Sequence, residues 1–355
     1  MSSKPYVTAL IDTYDQGSFI EEAIDSVLAQ DFPASQIEIL VVDDGSTDDT
    51  RERVAKYGDR VRYIYKENGG QASALNRGFA ESQGEIVAML DGDDLWLPNK
   101  ISRVVEEFGR HPEAAVVYHP YRVWNTDSNQ CTDDPSFHAI SGYVPECLAN
   151  VLRYGGFGTC GMALRRALTQ KAFPIPTALT IYADTYLVVI SMFLAPVAAI
   201  PEHLTVYRHH GGNATAFGEG DRDRRCRRWR CYEHGVAEAR EWLERNGHDL
   251  RLPATAAYFR RHELVAQEFR FLYEGAGRRQ LYRHLKSETD VFRPLWSAKY
   301  RVYRHFLEVA AFLMGYDRYT QLKSSYRGSS IAQRLRGLAF PTAAAERSTH
   351  SMDAL

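Results

Sequence analysis

The run at residues 85–96, E-I-V-A-M-L-D-G-D-D-L-W, constrains this chain more than any other stretch. Ile86, Val87, Ala88, Met89 and Leu90 form an unbroken apolar segment of the length expected for a strand buried on both faces. It stops abruptly at Asp91, Asp93 and Asp94, with Gly92 between them. Three carboxylates at the end of a buried strand carry a large desolvation cost unless water, hydrogen bonds or a cation meets them. Hard oxygen donors in that position suit Mg²⁺ or Mn²⁺ carrying phosphate groups. A second reading stays open at this point. Pro98 precedes apolar residues at helical spacing (Ile101, Val104, Val105, Phe108), and aspartate is a good helix cap.

The segments upstream sharpen the choice. Residues 6–11 (Y-V-T-A-L-I) read as a strand, and Asp12 to Gly17 as a polar turn. Ser18 then caps a helix with Ile20, Ile24, Val27 and Leu28 on one face. Residues 37–42 and 61–65 read as two further strands, and 71–81 as a helix after the turn Asn68-Gly69-Gly70. Strands alternating with helices across short connections predict an α/β fold built on a mostly parallel, doubly wound sheet. Asp43 and Asp44 follow the second strand as Asp91, Asp93 and Asp94 follow the fourth. Ligands of open α/β sheets bind at that carboxyl edge, where the strand order reverses. The two acidic strand ends therefore predict a nucleotide and metal site.

Charge divides the chain. Residues 1–220 hold 17 basic against 29 acidic residues, and residues 221–340 hold 25 against 14. Three parts are expected: an acidic α/β domain over 1–220 that holds the nucleotide and metal site, a basic helical module over 221–340 and a loose tail over 341–355. The helical module is predicted from Arg222, Arg224, Arg225, Arg227, Arg228 and Arg230, followed by Trp229, Tyr232, Val236, Ala239 and Trp242 at helical spacing. Its Arg-with-aromatic pattern between Phe292 and Phe312 fits either an anionic membrane or a solvated basic face. The same helices offer a surface for homo-oligomer formation. Five cysteines without C-x-x-C or Cys/His spacing point to reduced thiols and a cytoplasmic setting. No signal peptide and no membrane-spanning stretch is expected.

Four stretches in order carry a resemblance: the first strand with Thr13-Tyr14, V-V-D-D-G-S-T-D-D-T at 41–50, N-G-G-Q-A-S-A-L-N-R-G at 68–78, and L-D-G-D-D-L-W at 90–96. Together they resemble glycosyltransferase family 2, inverting enzymes of GT-A fold that move a sugar from a nucleoside diphosphate to an acceptor. The resemblance covers about residues 6–215. It implies a GT-A, Rossmann-like sheet flanked by helices, followed by a mainly helical C-terminal region. It implies that Asp43 meets the nucleotide base, with Thr13 and Tyr14 beside it, and that Asp91 meets the ribose or a metal-bound water. It further implies that Asp93 holds a divalent cation, Mn²⁺ or Mg²⁺, together with Asp91. Arg77 is expected to face the diphosphate. Arg208 and His210, in the segment Y-R-H-H-G-G-N at 207–213, are expected at the diphosphate and in the metal shell. Asp184, in I-Y-A-D-T-Y-L-V at 181–188, is expected to act as general base, and also reads as a helix cap. The partners implied are a nucleotide-sugar donor, with uridine as the default base, and a glycan or lipid-linked acceptor. Nucleic acid is not among them. Surface-polysaccharide synthesis at the inner face of the membrane is the family-level setting.

Two departures stand out. The family usually has Pro-Thr-Tyr-Asn where this chain has Asp12-Thr13-Tyr14-Asp15, and an acidic neighbour where it has Ala183. Among other classes, a dinucleotide oxidoreductase lacks support, since no G-x-G-x-x-G follows the first strand. An aspartyl phosphohydrolase would want Thr or Val where Leu95 stands. A non-catalytic nucleotide- or glycan-binding relative is the remaining alternative.

Overall fold

The structure is a computed structural model that describes residues 6–133, 137–154, 157–213 and 222–326. The expected tail at 341–355, and the module's end beyond residue 326, lie outside these residues. Strands β1 (Val7–Thr13), β2 (Ile37–Asp43), β3 (Arg62–Tyr65) and β4 (Ile86–Asp91) alternate with helices α1 (Gly17–Leu28), α2 (Thr50–Ala55) and α3 (Gln71–Glu81). After the acidic loop come β5 (Leu95–Trp96), α4 (Lys100–Arg110), β6 (Val116–Tyr118), β7 (Tyr121–Asn125) and β8 (Gln130–Asp133). The chain continues through α5 (Leu148–Arg153), β9 (Met162–Arg165), α6 (Arg166–Thr169), α7 (Ala183–Leu194), β10 (Val197–Ala199), β11 (Thr205–His209) and α8 (Arg222–Arg245).

Seven strands form the main sheet in the order β10-β6-β9-β4-β1-β2-β3. The pairs β1/β2, β2/β3, β1/β4 and β6/β10 are parallel, and β9 runs antiparallel between β4 and β6. The chain leaves β1 in one direction through β2 and β3, then returns to the other side of β1 as β4. The strand order thus reverses between β1 and β4, the position that predicts a ligand crevice. Val7, Ala9, Leu10, Ile11 and Ile86 to Leu90 are buried, as the apolar runs required. A second sheet, β5-β11-β7-β8, begins where Gly92, Asp93 and Asp94 carry the chain from β4 into β5.

Three details differ from the sequence reading. β1 runs on through Asp12 and Thr13, because both pair in register with Val42 and Asp43 of β2. The polar turn is accordingly shorter than expected. Helix α1 starts at Gly17 with Ser18 inside it. Its first amide is met from afar, by Asp48 Oδ2 at 2.9 Å, so no local cap is needed. Residues 125–130, where no strand is expected, close the β7–β8 hairpin, with Asn129 at φ 51°.

Helix α3 packs on β1 through Gly78. A Cβ there would lie 2.2 Å from Leu10 Cδ1, and Leu10 is fully buried. Gly78→Ala should therefore destabilise the protein by about 1–3 kcal/mol in urea unfolding, overpacking outweighing the better helix propensity of alanine. A gain in stability would show that Leu10 yields freely.

Contacts divide the chain into two compact units, Met1–Thr255 and Ala256–Leu355. Helix α8, which starts just after the change in composition at residue 221, packs on α7 and belongs to the first. Helix α9 (Pro253–Glu274) runs on into the second, which holds α10 (Arg278–Phe292), α11 (Ala298–Met314) and α12 (Tyr316–Tyr326). Leu281, Leu285, Ala311 and Tyr319 form the second unit's small core.

Candidate active site

Four aspartates gather where the strand order reverses. Asp12 and Asp91 stand level on adjacent parallel strands, and Asp93 and Asp94 follow in the loop. Asp91 Oδ1 accepts from Gln71 Nε2 at 3.3 Å. Asp93 Oδ2 accepts from His210 Nε2 and from Asn213 Nδ2, each at 3.0 Å. Asp94 is fully buried and its Oδ1 accepts the Arg208 amide at 2.8 Å. Asp12 Oδ1 is buried with no hydrogen-bond partner. Burial, with the charge of Asp93 next in weight, lifts Asp12 to about 7. Burial and the neighbouring carboxylates also hold Asp91 and Asp94 well above the usual range.

Lys100 lies below this group, fully buried. Its ammonium donates to the Cys160 carbonyl at 2.6 Å and sits 4.2 Å from the centre of the Trp96 ring. Burial brings Lys100 down to about 7. Cys160 Sγ is grouped with donor oxygens of Asp91 and Asp94, all within 4.8 Å of one another. Burial, with the charges of Asp94 and Asp91 next, holds that thiol well above its ordinary range. Oxygen donors dominate what remains, and one of them is an orphan. The residues therefore fit a hard divalent cation of the Mg²⁺ or Mn²⁺ kind.

The loop after β2 forms a second wall. Asp43 is fully buried, and its carboxylate accepts the Ser46 amide at 2.7 Å and the Tyr63 hydroxyl at 2.5 Å. Asp44 takes Lys66 at 2.5 Å and the Gly70 amide at 2.7 Å. Gly70 has φ 82°, and a Cβ there would lie 2.6 Å from Thr180 Cα, so glycine is required. Asp15 Oδ1 accepts the Thr47 amide at 2.7 Å, which fastens the turn after β1 to this loop. The Asp15 carboxylate is thereby directed into the loop backbone. Thr13 is buried beside Gly92, and Tyr14 stands 48% exposed at the rim.

Asp184 comes from another element. The Gln71 and Ala72 amides bond to Thr180 and Leu179, which brings the segment before α7 to the start of α3. Gln71 then joins three parts through its side chain: Asp91, Thr159 Oγ1 at 3.2 Å, and the Ala183 amide at 3.2 Å. Asp184 lies in the first turn of α7, after Tyr182, which adopts the left-handed region at φ 61°. Such strain persists only when neighbours hold it. Here the neighbours come from α8: Arg228 hydrogen-bonds the Tyr182 hydroxyl and lies over its ring, and Tyr232 packs edge-on. Burial raises the Asp184 pKa, outweighing the backbone amides that lower it.

Residues 8–170 match the family described as Glycosyl transferase family 2. This segment of the chain belongs to that family. An uncharacterized glycosyltransferase of Nostoc sp. is 36% identical over 217 residues, which span 58% of this chain and 66% of that protein. A Rickettsia typhi relative of the same description is 46% identical over 101 residues, 28% of this chain and 31% of its own. The chain thus spans less than two thirds of these relatives. Among solved structures, S. aureus TarS 1-349 in complex with UDP-GlcNAc superposes with a TM-score of 0.58 at 17% identity, over 91% of each chain. Mannosyltransferase PcManGT from Pyrobaculum calidifontis, in complex with GDP-Man and Mn²⁺, gives 0.52 at 20% identity, over 94% of this chain and 83% of its own. The fold is the GT-A fold of these glycosyltransferases, with a helical region after it.

Within this glycosyltransferase domain and the strand that completes it, the structure brings His210 to Asp93, while the ligand atoms of Asp91 group with those of Asp94 and Cys160. His210 Nδ1 accepts the Gly212 amide at 3.1 Å, so Nε2 carries the proton and donates to Asp93. The imidazole thus orients the carboxylate. Arg208 supplies its backbone to Asp94, while its guanidinium pairs with Glu22 at 2.8 Å between the Phe19 and Trp124 rings. Arg77 is not brought to the carboxylates. It is more than half exposed and pairs with Glu81 at 3.0 Å, one turn along α3, an ordinary i,i+4 partnership. Asp43 holds its own loop through Oδ1 and Tyr63 of β3 through Oδ2. Sequence reasoning missed Gln71 and Lys100. Gln71 reads there only as the first residue of a helix, and Lys100 is not singled out at all. Asn213 was legible only within the Y-R-H-H-G-G-N segment.

Proposed function

We propose that this chain is an inverting hexosyltransferase that moves a sugar from a nucleoside diphosphate, with UDP-sugars favoured, to an acceptor hydroxyl. The observation that carries this reading is the Gln71 bridge. It joins Asp91 to the amide of Ala183, the residue before Asp184, and so links the start of the helix that carries Asp184 to the group of carboxylates. The nucleotides in the TarS and PcManGT structures support a nucleoside diphosphate sugar as donor. Asp91 and Asp93 would hold the cation with His210 behind Asp93, and the loop with Thr13, Tyr14 and Asp43 would flank the base. When bound, the cation supplies charge neutralisation for the departing diphosphate. Asp184 takes the proton from the acceptor hydroxyl as its oxygen attacks the anomeric carbon, on the face away from the leaving phosphate oxygen. One C–O bond forms, one breaks, and configuration inverts. Residues 1–220 would carry this chemistry, with α8 bracing the base.

Calorimetry with UDP, GDP, dTDP and CDP, with and without Mn²⁺, tests it. Metal-dependent binding of one nucleotide, followed by transfer from its sugar, is the expected result. No binding of any of the four in either condition would overturn the reading and leave a non-catalytic relative.

A surface-glycan or lipid-linked acceptor brings the enzyme to a membrane. No helix among the described residues is long and apolar enough to cross one. The outward face of α11 supports peripheral attachment at an anionic inner face. Val302, Phe306, Val309 and Leu313 recur every three or four residues, with Phe306 71% and Leu313 65% exposed. Lys299 and Arg301 are exposed on the same helix, and its one acid, Glu308, is buried. This charge favours anionic lipid over a second, equally cationic copy. The protein should co-sediment with vesicles containing phosphatidylglycerol but not with phosphatidylcholine alone, and Phe306→Glu should abolish it. Equal recovery with both vesicles, or a dimer lost in Phe306→Glu, would sink this attachment.

A further inference from the structure

We propose that Asp12 is a third carboxylate of the cation site, and that it lets the site bind a divalent cation before any nucleotide arrives. The inference rests on the cation-dependent reading above and extends it to a residue that the resemblance does not supply, since the family usually has proline there.

The argument is geometric. Asp12 is the residue of β1 level with Asp91 of β4, so both leave the sheet side by side where the strand order reverses. The acidic loop is tied to the same point, because the Gly92 amide donates to the Asp12 carbonyl at 2.9 Å. Asp12 Oδ1 and the neighbouring Thr13 Oγ1 are both buried without a hydrogen-bond partner, and Thr13 is 3% exposed. The carboxylates whose charges interact with Asp12 include Asp91, Asp93, Asp44 and Asp184, all of one sign. The cations nearby are engaged elsewhere: Lys66 on Asp44, Lys100 on the Cys160 carbonyl, and Arg208 on Glu22. The Asp12 side chain is half-buried and its carboxylate takes its own backbone amide, but Oδ1 is buried without a partner among like charges, a position that a cation from outside the chain would satisfy.

A site with one or two carboxylates usually holds Mg²⁺ or Mn²⁺ largely through substrate phosphates and water. A third carboxylate raises the protein's own share of the charge, so the cation no longer depends on the diphosphate. The same charge has a cost in the metal-free protein, where the carboxylates repel one another.

The test is a titration of the full chain with Mn²⁺ alone, reading free Mn²⁺ by electron paramagnetic resonance. Saturable binding at one site is expected, weakened about tenfold or more in Asp12→Asn and Asp12→Pro. Melting in chelator gives the opposite sign: Asp12→Asn should melt above wild type, and should gain less than wild type from Mn²⁺. A purely structural Asp12 would melt lower in chelator and keep the wild-type response to Mn²⁺, and that outcome overturns the proposal. Equal Mn²⁺ affinity in wild type and both variants overturns it too. The two readings fail separately. Binding of UDP with Mn²⁺, but of no Mn²⁺ alone, removes the role of Asp12 and leaves the transferase. Binding of Mn²⁺ alone, but of no nucleotide, removes the transferase and leaves the cation site.

Discussion

Asp184→Asn should lower kcat by about 10²–10⁴-fold, the range expected when a general base is removed, and leave Mn²⁺-dependent nucleotide binding within about twofold of wild type. The asparagine keeps the size of the side chain and the contacts around Thr159, so binding reports on the rest of the site. The pH profile gives a second readout. A base works in its deprotonated form, and burial raises the Asp184 pKa above the ordinary carboxylate value. The acid limb of kcat should therefore lie at higher pH than for an exposed aspartate, with turnover rising as pH climbs through it. The limb should vanish in the asparagine variant. Unchanged kcat in Asp184→Asn would assign the base elsewhere.

Asp93→Ala is the second large effect. Its Oδ2 is the shared acceptor of His210 and Asn213, so the change removes a carboxylate and leaves two donors unmatched. Nucleotide affinity in Mn²⁺ should fall at least about 100-fold by calorimetry, while weak metal-independent binding persists. Asn213→Ala should reproduce part of the loss, because Asn213 also holds the Arg208 carbonyl at 3.0 Å and thereby the end of β11. If Asp93→Ala binds nucleotide and Mn²⁺ as wild type does, the cation is held by other groups.

Much of this architecture was legible because it is local. The apolar run at 86–90 could only be a buried strand, and its register against β1 brings Asp91 to the edge where the sheet reverses. The hairpin of β7 and β8 was not legible, because its pairing partner β11 lies some 80 residues on and nothing in the residues after Asn125 announces it. Arg77 misled because a basic residue in a matching segment has no address until the helix phase is fixed. The phase turns it toward Glu81. Gln71 was invisible for the opposite reason: its three hydrogen bonds are to residues 20, 88 and 112 positions away, and no spacing along the chain encodes them. Burial decided the rest. A lysine at position 100 reads as a solvated helical residue until the sheet above it is in place.

The brace on the proposed base has a consequence for how such an enzyme changes over time. The carboxylates at the β4 edge lie inside the segment that matches the family, residues 8–170, whereas Asp184, Tyr182 and the supporting Arg228 lie beyond it. The proposed donor and acceptor halves of the pocket are thus written largely in separate stretches of the gene, joined at α3 by Gln71, by the amide bonds to Leu179 and Thr180, and by Asn76 on Ile175. On the proposed reading, substitutions around residues 180–184 and in α8 would redirect which hydroxyl is presented while the β4 carboxylates, and the His210 and Asn213 that hold Asp93, are inherited intact.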